Sequence, residues 1–154
     1  MIIKIDSEEK FLPIAQRLMW VSTECFPRSD WGMDTWKGFF GNYDFFVYIN
    51  TTENQVSGFL AFYVVEKETE ILKLGVLPEY RRRRIGSSLL NEMLLDLTRL
   101  EIKSIHLEVR RSNNIARSLY LSHGFVENGI RESYYNRPVD DAVLLTRKLY
   151  DEIS

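Results

Sequence analysis

From Gly86 onward, Leu89, Leu90, Met93, Leu94, Leu97 and Leu100 form one apolar stripe, while Asn91, Glu92, Asp96 and Arg99 fall mostly off it. A return every three or four positions predicts an amphipathic helix, the clearest element in the chain. Residues 104–110 switch to a period of two: Ile105, Leu107 and Val109 alternate with His106, Glu108 and Arg110. That alternation is the mark of a strand with one buried face. Residues 2–5 read as a short strand, and Ser7 is placed to cap a helix carrying Phe11, Leu12, Ile14, Ala15, Leu18 and Met19. The helical pattern fades near Pro27. After Ser29, Trp31, Met33, Trp36, Phe39 and Phe40 predict a shorter helix ending around Gly41 and Asn42. Three strand-like runs follow at 45–50, 56–65 and 70–77, the first closed by the polar turn 51–54 and the last stopped by Pro78. A short helix is expected from about Asn114 to Gly124, a good residue just beyond a helix end. Two last strands, 125–135 and 142–150, are joined by a turn around Pro138, Val139 and Asp140.

The resulting order is β-α-α-β-β-β-α-β-α-β-β. Three successive strands favour an antiparallel meander, whereas the strand–helix–strand passage after Pro78 favours a right-handed parallel crossover. A mixed sheet with helices on both faces follows, an α/β fold in three layers. The chain has 154 residues with no repeat, low-complexity tract or linker-like stretch, so residues 1–154 are expected to form a single domain.

Composition narrows the function classes. Hydrophobic residues at 45% and charged residues at 27% suit a soluble globular protein. The net charge of −2 lacks the basic excess that a dedicated nucleic-acid binder uses to neutralise phosphates, so no nucleic-acid partner is expected. The single cysteine, Cys25, cannot close an internal disulfide, which favours a reducing, cytoplasmic setting. Two histidines and one cysteine make a zinc site improbable, and no metal is expected. The opening residues lack signal-peptide features, and no apolar run reaches the roughly 18 residues of a membrane span. Secretion and membrane insertion are therefore not expected.

The chemistry concentrates in residues 74–87, Leu-Gly-Val-Leu-Pro-Glu-Tyr-Arg-Arg-Arg-Arg-Ile-Gly-Ser. A strand ends, a basic loop turns and a strong helix begins. Free N–H groups at a helix start, reinforced by its dipole and by neighbouring arginines, make an anion site suited to a pyrophosphate. The same residues also read as a solvated basic turn, or as a nucleic-acid contact that the acidic balance of the chain opposes.

Residues 76–90 resemble motif A of the GNAT acetyltransferases, Arg/Gln-x-x-Gly-x-Gly/Ala, here from Arg81 to Gly86. Leu107-Glu108-Val109-Arg110-Arg111-Ser112-Asn113, then Ala116, Leu119-Tyr120 and Gly124-Phe125, are similar to the bacterial ribosomal-protein-alanine acetyltransferases, as are Ile130-Arg131, Tyr134-Tyr135 and Asp141-Ala142. The likeness covers residues 71–149; the first 70 share element order and little else. One residue departs from the motif: Arg84 stands where the family has its first glycine, which an arginine tolerates if φ stays negative.

The resemblance implies a sheet, mostly antiparallel, that splays between its fourth and fifth strands to admit the pantetheine arm of acetyl-CoA, the co-substrate. Leu74, Gly75 and Val76 would pair with that arm through their backbones, and the Val76 N–H would polarise the thioester carbonyl. Gly75 itself reads equally as a bulge marker or as a packing glycine. Arg81, Arg82, Arg83, Arg84, Ile85, Gly86 and Ser87 would hold the pyrophosphate. Asn113 would contact the cofactor, a role compatible with capping the next helix. Glu108, otherwise a surface or salt-bridged glutamate, would be the general base, and Tyr120, otherwise a packing tyrosine, the general acid. Phe26, Trp31, Tyr134 and Tyr135 would shape the acceptor pocket, unless they are core. No acyl-enzyme is needed, so Cys25 reads as a packed residue.

Three functions stay open: acetylation of a protein N-terminus, such as that of a ribosomal protein; acetylation of a small amine or amino acid; and non-catalytic binding of CoA. Either a monomer or a homodimer is compatible with the sequence.

Overall fold

The computed structural model describes residues 1–28 and 31–149, which run β1 (Ile2–Ile5), α1 (Glu8–Phe11), α2 (Ala15–Cys25), α3 (Met33–Asn42), β2 (Asp44–Thr52), β3 (Gln55–Val65), β4 (Glu68–Val76), α4 (Ile85–Arg99), β5 (Ser104–Arg110), α5 (Asn114–Ser122), β6 (Val126–Tyr135) and β7 (Asp140–Lys148). The seven strands form one sheet in the order β1-β2-β3-β4-β5-β7-β6. β1 to β4 pair antiparallel, β4 and β5 pair parallel, and β5, β7 and β6 are again antiparallel. This is the mixed sheet that the element order predicts. Ser29 and Tyr150, which bounded two expected elements, lie outside the described residues.

Local chemistry accounts for the differences. The first expected helix is broken, because Pro13 has no N–H to give and the chain tightens into a 3-10 turn at Leu12–Ile14. Ser7 does cap it, its hydroxyl accepting the Lys10 N–H at 3.2 Å. Leu12, expected on the apolar stripe, is exposed; Leu100, past the end of α4, is exposed as well. The β2–β3 hairpin turns on Glu53 and Asn54, at φ 53° and 61°, so Thr51 and Thr52 stay in the strand. At the end of α5, Gly124 takes φ +84°, and the Phe125 N–H returns to the Tyr120 carbonyl at 3.1 Å.

Alternation along β3 feeds both layers. Leu60 and Phe62 join a core with Leu89, Leu90, Met93 and Leu97 of α4 and Tyr120 of α5. Phe59 and Ala61 face the opposite core, built with Phe11, Leu18, Val21 and Trp36 of the first three helices. Among the described residues no helix is long and apolar enough to cross a membrane.

Asp96, off the stripe of α4, ties that helix to the sheet by accepting hydrogen bonds from Tyr48 and from Lys4, the latter at 2.7 Å. Burial alone would push its carboxyl up, but these bonds outweigh burial and hold it below the ordinary carboxylate range. A depressed folded value stabilises the protein fully above the unfolded carboxyl value of about 3.9 and is lost as pH falls through the folded one. The urea midpoint is therefore expected to fall below about pH 4, and Asp96→Asn is expected to make that fall shallower.

Candidate active site

β4 and β5 stay in register for only three pairs, Glu68 with Ser104, Thr69 with Ile105 and Glu70 with His106. Beyond them β4 keeps β3 as its partner and β5 keeps β7 as far as Arg110 opposite Ala142. The two strands therefore diverge, and a cleft opens between Ile71–Leu74 of β4 and Leu107–Val109 of β5, reaching Phe26 on one side and Asn113, Ala116 and Tyr120 on the other.

The backbone of β4 is arranged to serve this gap. The Leu77 N–H donates to the Ser57 carbonyl of β3 at 2.9 Å. Because successive residues point their N–H and C=O groups to opposite sides, those of Val76 and Leu74 face the gap while those of Gly75 face β3. The register shift in this pair of strands falls between Ala61 and Phe62, opposite Lys73 and Ile71, so Gly75 does not mark the irregularity. It marks a close approach: a Cβ there would lie 2.9 Å from Cys25 Cβ and from the Phe26 ring. Cys25 itself is a neutral thiol, pushed up to about 11 by burial.

The basic loop joins β4 to α4, where Gly86 closely approaches Leu119 of α5. Arg82 and Arg84 both take left-handed backbone, at φ 65° and 60°, and Arg84 is the residue before α4. The condition of a negative φ at Arg84 is not met: the turn into α4 gives it the left-handed conformation that glycine adopts freely. Among the described residues, the N–H groups from Arg82 to Ser87 meet no protein acceptor, and Ser88 is the first to bond back, to Arg84 at 3.0 Å. Left-handed residues interspersed in such a turn gather amide hydrogens into an anion-binding concavity. Arg81 is turned inward, its Nε donating to the Val76 carbonyl at 3.0 Å, and Arg83 lies over the Tyr80 ring. Left-handed backbone costs a non-glycine residue about 1 kcal/mol. Arg84→Gly is expected to raise Tm by about 2 °C in a thermal melt.

Glu108 and Tyr120 come to the cleft from different elements. Glu108 shares the β5 face with His106 and pairs with Arg131 of β6 at 3.0 Å. Tyr120 is 5% exposed and packs edge-on against Phe125, and burial holds its phenol well above the ordinary value, hence protonated. Asn113 lines the cleft and also caps α5, accepting the Ala116 N–H at 3.2 Å. Of the expected acceptor residues, Phe26 reaches the cleft, whereas Trp31 packs among Trp36, Phe39 and Phe45. Tyr134 and Tyr135 sit at the end of β6, with Arg131 over the first ring and Arg110 over the second. Arg28, just past α2, donates to the Arg137 carbonyl, so the segment after α2 touches the β6–β7 turn.

One cleft residue, Lys73, and the ion-pair partner of another, Arg131, were given no site role by the sequence. Lys73 is 4% exposed, its ammonium 3.3 Å from Ser22 Oγ and 4.5 Å from the Trp31 ring centroid. A lysine within a run of apolar strand residues was the available signal. Arg131 stood only within the Ile130-Arg131 likeness, and its pairing with Glu108 depends on β6 returning beside β7.

Residues 12–125 match the model of the acetyltransferase (GNAT) family. The ribosomal protein bS18-alanine N-acetyltransferase of Salmonella typhimurium is 36% identical over 102 residues, 64% of this chain and 68% of that protein. With the curated relatives from Bacillus subtilis and Haemophilus influenzae the matched stretch spans about 60% of their length, 62% and 58% respectively. Over the whole fold, the crystal structure of the Escherichia coli ribosomal-protein-S18-alanine N-acetyltransferase superposes with a TM-score of 0.82 at 27% identity, covering 100% of this chain and 99% of the other. A GNAT family acetyltransferase from Elizabethkingia anophelis, solved with acetyl-CoA bound, superposes at 0.73 with 19% identity, covering 96% and 97%.

Proposed function

The chain belongs to the GNAT acetyltransferase family, and from that premise we propose that it is a cytoplasmic, single-domain N-acetyltransferase moving the acetyl group of acetyl-CoA to the N-terminal α-amine of a protein. The observation that carries this reading is the parting of β4 and β5 after Glu70 and His106, which leaves Glu108 and Tyr120 bordering one cleft, with a turn of unpaired N–H groups between β4 and α4. The likeness to enzymes named for acetylating a ribosomal-protein alanine supports a protein N-terminus as the acceptor.

Acetyl-CoA suits these residues: a pyrophosphate needs convergent N–H donors, which residues 82–87 offer, and an extended amide-bearing arm needs an open strand edge, which Leu74 and Val76 offer. When bound, it supplies an activated thioester. The Val76 N–H is the donor for the negative charge that develops on the acetyl oxygen. Glu108 takes a proton from the acceptor nitrogen, directly or through a water, and the Tyr120 phenol, kept protonated by burial, gives one to the departing sulfur. An α-amine, with an ordinary pKa near 7.7–8.0 against about 10.4 for lysine, sheds its proton more readily at neutral pH.

A panel of short peptides differing in their first residue, set against polyamines and free amino acids, tests the acceptor. Turnover on peptides well above that on small amines is the expected result. Preferential turnover of a small amine replaces this reading with the small-molecule one, and acetyl-CoA binding with no turnover on any amine replaces it with a binding module.

A further inference from the structure

We propose that Lys73 is a positioning residue for the acceptor: its ammonium fixes the Phe26 ring as the wall of the cleft against which the first residues of a peptide rest. This rests on acetyl transfer to an amine, as proposed above. The coenzyme arm and its sulfur then belong to the side of Asn113 and Tyr120. The opposite side, bounded by Phe26 and Lys73, is left to the acceptor.

A bulge in β4 brings Lys73 to that side. Ala61 of β3 pairs with Lys73 and Phe62 pairs with Ile71, so Leu72 is the extra residue between them. Strict alternation would turn Lys73 the same way as Ile71, into the core with α4. The extra residue reverses the sense. Lys73 therefore shares with Gly75 the face that meets the end of α2.

There the Lys73 ammonium lies 3.3 Å from Ser22 Oγ, 5.1 Å from the Phe26 ring centroid and 4.5 Å from that of Trp31. Phe26 is the residue at which α2 ends, and its N–H donates to the Ser22 carbonyl at 2.8 Å. Ser22 thus holds both members of the pair, Phe26 through its carbonyl and Lys73 through its hydroxyl. On the strand side Gly75 lets the ring come down on β4, where a Cβ would lie 2.9 Å from it. Phe59 meets the ring edge-on at 6.2 Å. A half-buried ring at a helix end changes rotamer unless its face is held. A cation over that face holds it, and more strongly out of water, where the buried Lys73 stands. The lysine acts on the acceptor through Phe26.

In the full chain Lys73→Met is expected to raise KM for the best peptide about fivefold, the effect of one desolvated cation–ring contact. KM for acetyl-CoA should stay unchanged and kcat should fall by less than about twofold. Lys73→Arg, which keeps a cation on the ring, should restore the wild-type peptide KM. In a Phe26→Leu background Lys73→Met should change peptide KM by less than about twofold, because the ring it orients is gone. Equal losses in the two backgrounds, or a matching rise in KM for acetyl-CoA, overturn the proposal, since a lysine that merely supports the fold acts without regard to Phe26. Should Lys73→Met melt before assay, Lys73→Gln can keep the bond to Ser22 without the charge and should show the same rise. NMR reads the contact without turnover: ring currents should displace the Lys73 ε-methylene signal upfield, and Phe26→Leu should move it back. A signal that does not move overturns the contact. If the wild type acetylates no amine while that signal does move, the proposed function fails and the contact stands.

Discussion

Glu108→Gln is expected to reduce kcat/KM on a peptide acceptor by about 10²-fold, the lower end of what a positioned general base contributes. The substitution keeps the shape of the side chain and removes its capacity to take a proton. It also removes the charge that Arg131 meets at 3.0 Å. Binding of acetyl-CoA should be nearly unaffected, because residues 82–87 and the open edge of β4 lie on other elements. Calorimetry with CoA and steady-state kinetics on the same preparation make the distinction. Undiminished turnover would remove Glu108 from the mechanism. Weakened CoA affinity would instead mean that the Arg131 contact organises the cleft itself.

Trp36→Ala is expected to destabilise the fold by about 3–5 kcal/mol. Trp36 is fully buried, stacked near Phe11 and set edge-on to Trp31 and Phe45. Truncation would leave a hole among rigid rings that cannot collapse, because Phe11, Phe45 and Phe59 are themselves held by helix and sheet on every side. A fall in Tm of roughly 10 °C or more follows for a domain of this size. Differential scanning calorimetry reads it directly. A fall of only a degree or two would mean that the aromatic layer under α3 repacks. Phe26, which reaches the cleft, packs against this same layer, so activity should decline before unfolding does.

Much of the candidate site was legible because its parts are local. The change from period two to period 3.6 at Pro78–Gly86 located the turn into α4, and the clean alternation of residues 104–110 put Glu108 opposite the apolar face. Asn113 and Gly124 announced the two ends of α5 by their own conformational preferences. Arg84 shows the boundary of such reasoning. Its side chain gave no warning of a positive φ, because the conformation is imposed by where β4 must stop and α4 must start.

The order of elements, the pairing of β2 to β4 as a meander, the parallel crossover and the basic turn before α4 were determined by the sequence itself, since each rests on periodicity or on residues adjacent in the chain. Tertiary structure alone decided the rest: the burial of Lys73 between Ser22 and Trp31, and the meeting of Glu108 with Arg131. Those contacts join residues between 23 and 51 positions apart along the chain. No local preference encodes such a meeting; it exists only once the whole sheet has closed around it.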